Sequence, residues 1–462
     1  MNANSIANTA FSALQGAQAG IALTAQNVGG QTTVGFTKRR LETSISQVLS
    51  NGSPVLGSGV SVDGFGRDWS ALLQQQRVQQ AGITAYHGSI ADGLARLDAQ
   101  AADASIAMDV PVNDFFASLA GLGRNPADAT ALDVVKAAGT KLLAAAQQFK
   151  TGVETVQSDA RSALAGSVRE LNTIGHELAL INRDIATSQS VGGAGPDPAV
   201  LDRRDSLLQR AGTLVGGNLG VNADGQAYVF IDGQPLVNGF SSADLEATPQ
   251  SAAANAPIRL SMRFGAADAA MPGAHASIRA STLQGQLGGQ LELAGDPSIL
   301  LQPAGTPKPM LKEFTDLFAA ASGETPADAT ELTQALATLG AFSAGRGTTR
   351  PADVDAALQH LAGHSNSADP ATGANALQTG LLTGWRGFVS NLAAQVTVHR
   401  SINTASAAVE GRLNTEFQSQ SGVNLDEEAA NLLKYQQTYS AASRLLQANA
   451  TMLDGLLAIV GR

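Results

Sequence analysis

From Met1 to Thr37 the chain contains no Asp, Glu, Lys, Arg or His, and the first ionisable side chain is that of Lys38. Within this stretch Ile6, Ala10, Leu14, Ala17, Ile21, Ala25 and Val28 recur at spacings of three and four, the period of an amphipathic helix. The opposite face is polar but uncharged, with Asn4, Asn8, Gln15, Gln18 and Gln26. An apolar stripe with a neutral back suits a helix enclosed by protein on several sides. Gly16 and Gly20 leave room for a second helix to approach closely. The polar interruptions break the apolar run that a secretory signal or a membrane span needs, so neither is predicted.

The other end of the chain has a matching pattern. Leu425, Ala429, Leu432, Gln436, Tyr439, Ser443, Leu446, Ala450, Leu453, Leu457 and Val460 alternate by four and three, as in a coiled coil, with Gln436 and Ser443 as polar breaks. A helix beginning after Asn424 and running to Val460 spans ~54 Å at ~1.5 Å per residue. That is too long for an ordinary small domain to cover. The two terminal helices either form an intramolecular hairpin or pack into an assembly of subunits, and the second reading is favoured.

Between the ends, Trp69 to about Ala104 is a Gln- and Ala-rich helical pattern. A longer one opens at Asn125-Pro126 and runs towards Ser188 through Leu132, Val135, Leu142, Phe149, Leu164, Leu171, Leu178 and Ile181. Ala199 to Leu214 makes a further helix. The period then changes: Val221, Tyr228, Val229, Phe230 and Ile231, with turns at Asn222–Gly225 and Asp232-Gly233, predict hairpins, and strands follow at 258–264 and 277–282. Prolines 297, 303, 307 and 309 mark a joint; shorter helices open at Thr325-Pro326 and Arg350-Pro351, Gly363 to Gly373 is a loop, and Ala374 to about Ser419 is the third long helix.

The fold class is therefore mainly α, with a β-rich central insertion, long coiled-coil-like helices from both ends of the chain, and nested, discontinuous domains. The expected divisions are a terminal assembly domain from 1–36 and 425–462, disordered in the free monomer; a long-helix bundle from 37–215 and 374–424; a β-rich outer domain at 216–295; and a mainly helical outer region at 296–373. The candidate interface residues are Ile6, Leu14, Ile21 and Val28 at one end and Leu425, Leu432, Tyr439, Leu446 and Leu453 at the other.

Composition and motif searching exclude much else. A net charge of −10 gives no phosphate-neutralising surface, so neither nucleic acid nor an anionic membrane is an expected partner. Without cysteine there is no disulfide, thiolate metal site or cysteine nucleophile. His176-Glu177 begins like a zinc-hydrolase helix motif, but Leu180 stands where the second histidine belongs. His360 and His364 have ligand spacing, yet the segment runs into a loop. Asp202, Arg203, Arg204 and Asp205 read as solvated local pairs of small value on one helix. Gly57, Gly59, Gly64 and Gly66 fit no phosphate loop. No catalytic, cofactor-binding or metal-binding residue is predicted, and the chain is not expected to be an enzyme.

Several segments carry a family resemblance. Ser12-Ala13-Leu14 through Gln26-Asn27-Val28, followed by Val34-Gly35-Phe36-Thr37-Lys38-Arg39-Arg40, resembles the N-terminal signature of the rod, hook and hook-associated axial proteins of the bacterial flagellum, with Phe36 in place of the usual tyrosine. Gly57 to Gly66 with Arg67-Asp68, Leu201 to Leu208, and Gly233 to Val237 are similar to later segments of that family. Ser421 to Leu433, then Tyr435-Gln436-Gln437 and Tyr439, is the most specific match, and its part from Gly422 to Leu433 separates the chain from the hook protein proper. Residues 296–373 carry none of the resemblance.

The resemblance implies a structural subunit exported by the flagellar type III apparatus, met by an export chaperone before secretion, and self-assembled as a ring or tube at the hook–filament junction. Its implied neighbours are the hook protein on one side and hook-associated protein 3 on the filament side, outside the cell. Two rival expectations are another flagellar axial protein and a surface adhesin acting through the central domain. The second would need aromatic platforms that 216–373 does not show.

Overall fold

The computed structural model describes residues 3–33, 35–45, 49–50, 53–54, 59–103, 107–124, 128–190, 195–251, 256–264, 275–295 and 370–460. The expectations for Pro297 to Pro309, Thr325-Pro326, Arg350-Pro351, His360 and His364 lie outside them. The described residues are mostly helical, with long helices at both ends and a β-containing centre, as the periodicity predicts.

Helix α1 (Ala3–Gly30) leads into an antiparallel ribbon of β1 (Arg39–Ile45) and β4 (Val60–Arg67), between which lie the two-residue strands β2 (Leu49–Ser50) and β3 (Ser53–Pro54). Then come α2 (Ala71–Ala101), α3 (Asp109–Arg124), the 62-residue α4 (Ala129–Ser190) and α5 (Pro198–Val215). Strands β5 (Asn218–Val221), β6 (Ala227–Ile231), β7 (Gln234–Asn238) and β8 (Ser241–Ser242) form an antiparallel meander. Strands β9 (Asp244–Pro249), β10 (Ile258–Arg263) and β11 (His275–Ile278) form a second sheet, ordered β11-β10-β9. The chain closes with α6 (Gln286–Ala294), α7 (Pro370–Ser421) and α8 (Leu425–Val460).

The body is built on α4, whose Leu142, Leu164, Leu171, Leu178 and Ile185 are fully buried. These follow the helical period and join Ile90, Leu94 and Leu97 of α2 in one core. Two asparagines of α4 fasten the sheets to the bundle. Asn172 both donates to Leu245 O (2.9 Å) and accepts from Leu245 N (2.8 Å). Asn182 does the same with Ala227, at 2.8 and 2.7 Å. Each amide satisfies both polar backbone groups of one strand residue, Leu245 on the edge strand β9 and Ala227 at the start of β6. Helices α2 and α7 run antiparallel: Arg77 meets Asn414 (2.8 Å), Gln80 meets the Ser406 carbonyl (3.1 Å) and the Thr84 carbonyl accepts from Asn403 (2.8 Å). Where α2 crosses α5, a Cβ on Gly82 would lie 2.8 Å from the Gly216 Cα, so only glycine allows that approach.

Four expectations need correction. Residues 37–70 were expected within a helical bundle, but β1 and β4 form a ribbon there, because Leu41 and Phe65 pair across a period-two alternation. Helix α4 starts at Ala129 rather than at Pro126, since the Asp128 carboxylate takes the Thr130 and Ala131 amides. Residues 286–294, expected in the β-rich region, are helix α6, whose Leu287 and Leu293 are buried in the core it shares with α2 and α4. Helix α7 begins at Pro370, four residues before the predicted start, with proline in the position that suits the first helical turn. Helix α3 was not anticipated at all.

Candidate assembly site

Helices α1 and α8 pack side by side within one chain, so the intramolecular hairpin, the less favoured reading, is present. On α1 the seam is lined by Ala10, Ala17, Gly20, Thr24 and Asn27, all buried. Across it, α8 presents Glu428, Ala442 and Asn449, buried, with Leu432 and Tyr435 half-buried. A Cβ on Gly20 would sit 2.5 Å from the Tyr435 ring, so the glycine is the socket for that ring. A Cβ on Gly16, by contrast, would meet nothing within 4 Å. The seam is narrow and partly polar, and Glu428 Oε1 and Asn449 Oδ1 find no hydrogen-bond partner among the described residues. Polar groups at such positions fix the register of a helix pair at some cost in stability.

Of the predicted interface residues only Leu432 lies in this seam, and the others flank it. Ile6, Leu14 and Ile21 are half-buried and Val28 is 45% exposed. On α8, Leu432 and Leu446 are half-buried, whereas Leu425, Tyr439 and Leu453 are exposed. Phe11 (55%), Leu433 (59%) and Met452 (53%), none of them singled out from the sequence, are exposed as well. On α1, Leu23 is the one large apolar side chain that is buried; Ile6, Phe11, Leu14, Ile21 and Val28 stay half-buried or exposed. The signal for the seam was the seven-residue recurrence of Ala10, Ala17 and Thr24, which a search weighted towards large side chains passes over.

The hairpin is tied to the body by the chain that leaves α1. Asn27 accepts from Arg39 N and donates to Arg39 O, both at 3.0 Å, turning the chain from helix into β1. Lys38 N donates to the carbonyl of Ser421, the last residue of α7, at 2.7 Å, and Lys38 O accepts from Asp68 N at 2.9 Å. The Lys38 ammonium reaches Glu427 in the first turn of α8 at 2.5 Å; that hydrogen bond holds its pKa above the ordinary lysine value. Phe36 lies against Gly30, with the Arg39 guanidinium 5.0 Å above its ring.

Beneath this strap lies a buried ion cluster. Thr37 Oγ1 donates to Asp202 Oδ1 at 2.5 Å. Arg67 Nη1 bridges Asp202 (2.8 Å) and Asp205 (3.0 Å), and Arg204 pairs with Asp205 at 2.6 Å while donating to the Gly225 carbonyl, also at 2.6 Å. The Trp69 ring has Arg67 and Arg204 each 5.5 Å from its centroid. Burial pulls the Arg204 pKa below the ordinary arginine value, and Asp205 opposes that shift.

The reading of 202–205 as solvated local pairs is therefore overturned: Asp202, Arg204 and Asp205 are buried, and only Arg203 is solvated, gripping Glu177 at 2.7 and 2.9 Å. Residues 202 and 205 lie three apart on the face of α5 that meets the strap. His176, the start of the broken zinc motif, contacts Ser242 of β8 (2.7 Å) and Asp244 of β9 (3.0 Å) and so joins α4 to both sheets.

Paired helices from the two ends of one chain, strapped to a long-helix body, define a subunit of the axial type. The chain belongs to the flagellar hook-associated protein FlgK family: the model described as "Flagellar hook-associated protein FlgK helical domain" matches residues 94–324. A second model, "Flagellar basal body rod FlgEFG protein C-terminal", matches residues 415–459, the end of α7 and nearly all of α8. The chain is similar to flagellar hook-associated protein 1 of Escherichia coli K12, 26% identical over 258 residues, which cover 54% of this chain and 46% of that relative. It is also similar to flagellar hook-associated protein 1 of Bacillus subtilis, 24% identical with 97% of each chain covered. The match thus spans about half the length of the E. coli relative and nearly all of the B. subtilis one. Among solved structures, the flagellar hook junction protein FlgK from Burkholderia pseudomallei matches with a TM-score of 0.44 and 22% identity, over 54% of this chain and 42% of that one.

Proposed function

We propose that this chain is a structural, non-enzymatic subunit of the junction between flagellar hook and filament, outside the cell. The α1–α8 hairpin serves as its axial packing element. The observation that carries this reading is the helix pair itself, which leaves Phe11, Val28, Leu425, Leu433, Tyr439, Met452 and Leu453 exposed along its two helices. Neighbouring copies would cover these residues on assembly into a ring or tube. Its neighbours along the axis would be the hook protein and hook-associated protein 3, and before secretion through the flagellar type III apparatus an export chaperone would shield the same residues. The similarity to proteins named flagellar hook-associated protein 1 supports a place at the hook.

Electron microscopy of a strain deleted for the gene, with flagellin assayed in the medium, tests this. Completed hooks without filaments, and flagellin lost to the medium, are expected. Normal filaments on normal hooks would remove the junction role.

A further inference from the structure

We propose that His87 on α2 and His399 on α7 form a two-histidine site for a divalent transition metal ion, Cu2+ or Ni2+, which staples the two longest-packed helices of the body together. Their Nδ1 atoms face each other at 3.0 Å, with ring centroids 5.1 Å apart and ring planes at 44°. Both rings are half-buried, at the side of the helix pair rather than in its core. In the metal-free chain the two Nδ1 atoms share one proton, one imidazole donating and the other accepting.

Neighbouring contacts hold this arrangement in place. One turn away Asn403 donates to the Thr84 carbonyl at 2.8 Å, and two turns away Gln80 donates to the Ser406 carbonyl at 3.1 Å. An added Cβ on Gly88 would lie 2.9 Å from Asn403 Nδ2, so the glycine leaves the space that the Asn403 side chain occupies between the helices. The spacing of the two ligands is thus set by the fold before any metal arrives.

The spacing also selects the metal. With metal–nitrogen bonds of ~2.0–2.1 Å, a nitrogen separation of 3.0 Å subtends about 95° at the ion. That is near the ~90° between adjacent ligands of a square-planar or octahedral ion, a geometry of Cu2+ and Ni2+, both of which imidazole suits. Binding requires the donor imidazole to move its proton from Nδ1 to Nε2, where water can accept from it, and both rings to turn so that the Nδ1 lone pairs, which point at each other in the hydrogen bond, converge on an ion beside the N–N line. No third His, Asp or Glu completes the cluster among the described residues, so water fills the remaining positions. The chain has no cysteine to compete for the metal.

The test is calorimetric titration of the untagged full chain with CuCl2 and with NiCl2, for the parent and for His87→Gln and His399→Gln, each first shown by circular dichroism to keep its helicity. One saturable site per chain is expected, with affinity falling at least tenfold in either variant and a metal-dependent rise in Tm confined to the parent. Electron paramagnetic resonance of the Cu2+-loaded parent reads the ligands without any substitution, and hyperfine coupling to two nitrogens is expected. Absence of a saturable site, equal affinity in parent and variants, or a spectrum without nitrogen coupling would overturn the assignment.

Discussion

Asp202 is the residue on which the strap depends most, because it meets Thr37, Arg67 and Arg39 at once. Removing one partner of a buried ion pair leaves an uncompensated charge and costs about 3–5 kcal/mol. Asp202→Ala is therefore expected to lower stability by about that amount in a urea melt. Glu177→Ala, which breaks only the exposed pair with Arg203, costs less than ~1 kcal/mol. Equal effects from the two substitutions would contradict the burial argument.

A second residue-scale prediction concerns Glu292, which accepts from the Tyr86 hydroxyl at 2.8 Å. Burial raises its pKa above the ordinary 4.5, although the Tyr86 bond pulls the other way. A raised folded-state pKa makes the group's contribution most favourable below its unfolded value and loses it as pH climbs through the folded one. Glu292→Gln keeps an acceptor for Tyr86 and removes the charge. Its Tm should match the parent near pH 4 and exceed it progressively towards pH 7; a constant difference across that range would contradict the assignment. None of this was legible in sequence. Asp202 and Arg67 lie 135 positions apart and Tyr86 and Glu292 lie 206, so the local pattern showed charges but not their partners.

At the scale of elements, the two terminal helices were legible to within a few residues, and α8 begins directly after Asn424, whose side chain accepts from Asp426 N. Which face of each helix meets the other was not. The large apolar residues mark a stripe, but the α1 face that meets α8 includes Gly20, whose missing side chain makes room for the Tyr435 ring, and most bulky residues of α1 stay outside it. Two glycines one turn apart separate these faces. Gly20→Leu drives a side chain into the Tyr435 ring and should lower amide protection along α1 in hydrogen exchange. Gly16→Leu meets open space, so it should leave monomer stability unchanged or slightly raised while reducing motility, if neighbouring subunits cover that face. Leu446→Asp, placing a charge beside the seam, should leave α2 to α7 folded and abolish assembly; a motile strain carrying it would remove the packing role of α8.

For the molecule as a whole, the order of long helices around a β-containing centre followed from where the hydrophobic period changes. The β1–β4 ribbon and the return of α6 to the bundle did not, because both depend on contacts with elements distant in the chain. On the proposed function, the open apolar residues beside the α1–α8 seam are covered by other subunits in the assembled flagellum. The chain has no native cysteine, so single cysteines can report on this directly. Phe11→Cys and Met452→Cys, with Phe240→Cys at an exposed turn beside the β meander as control, should each react with a maleimide in the purified monomer. In isolated hook–filament preparations the two terminal cysteines should be protected while the control still reacts. Equal labelling of all three positions in both states would contradict the claim.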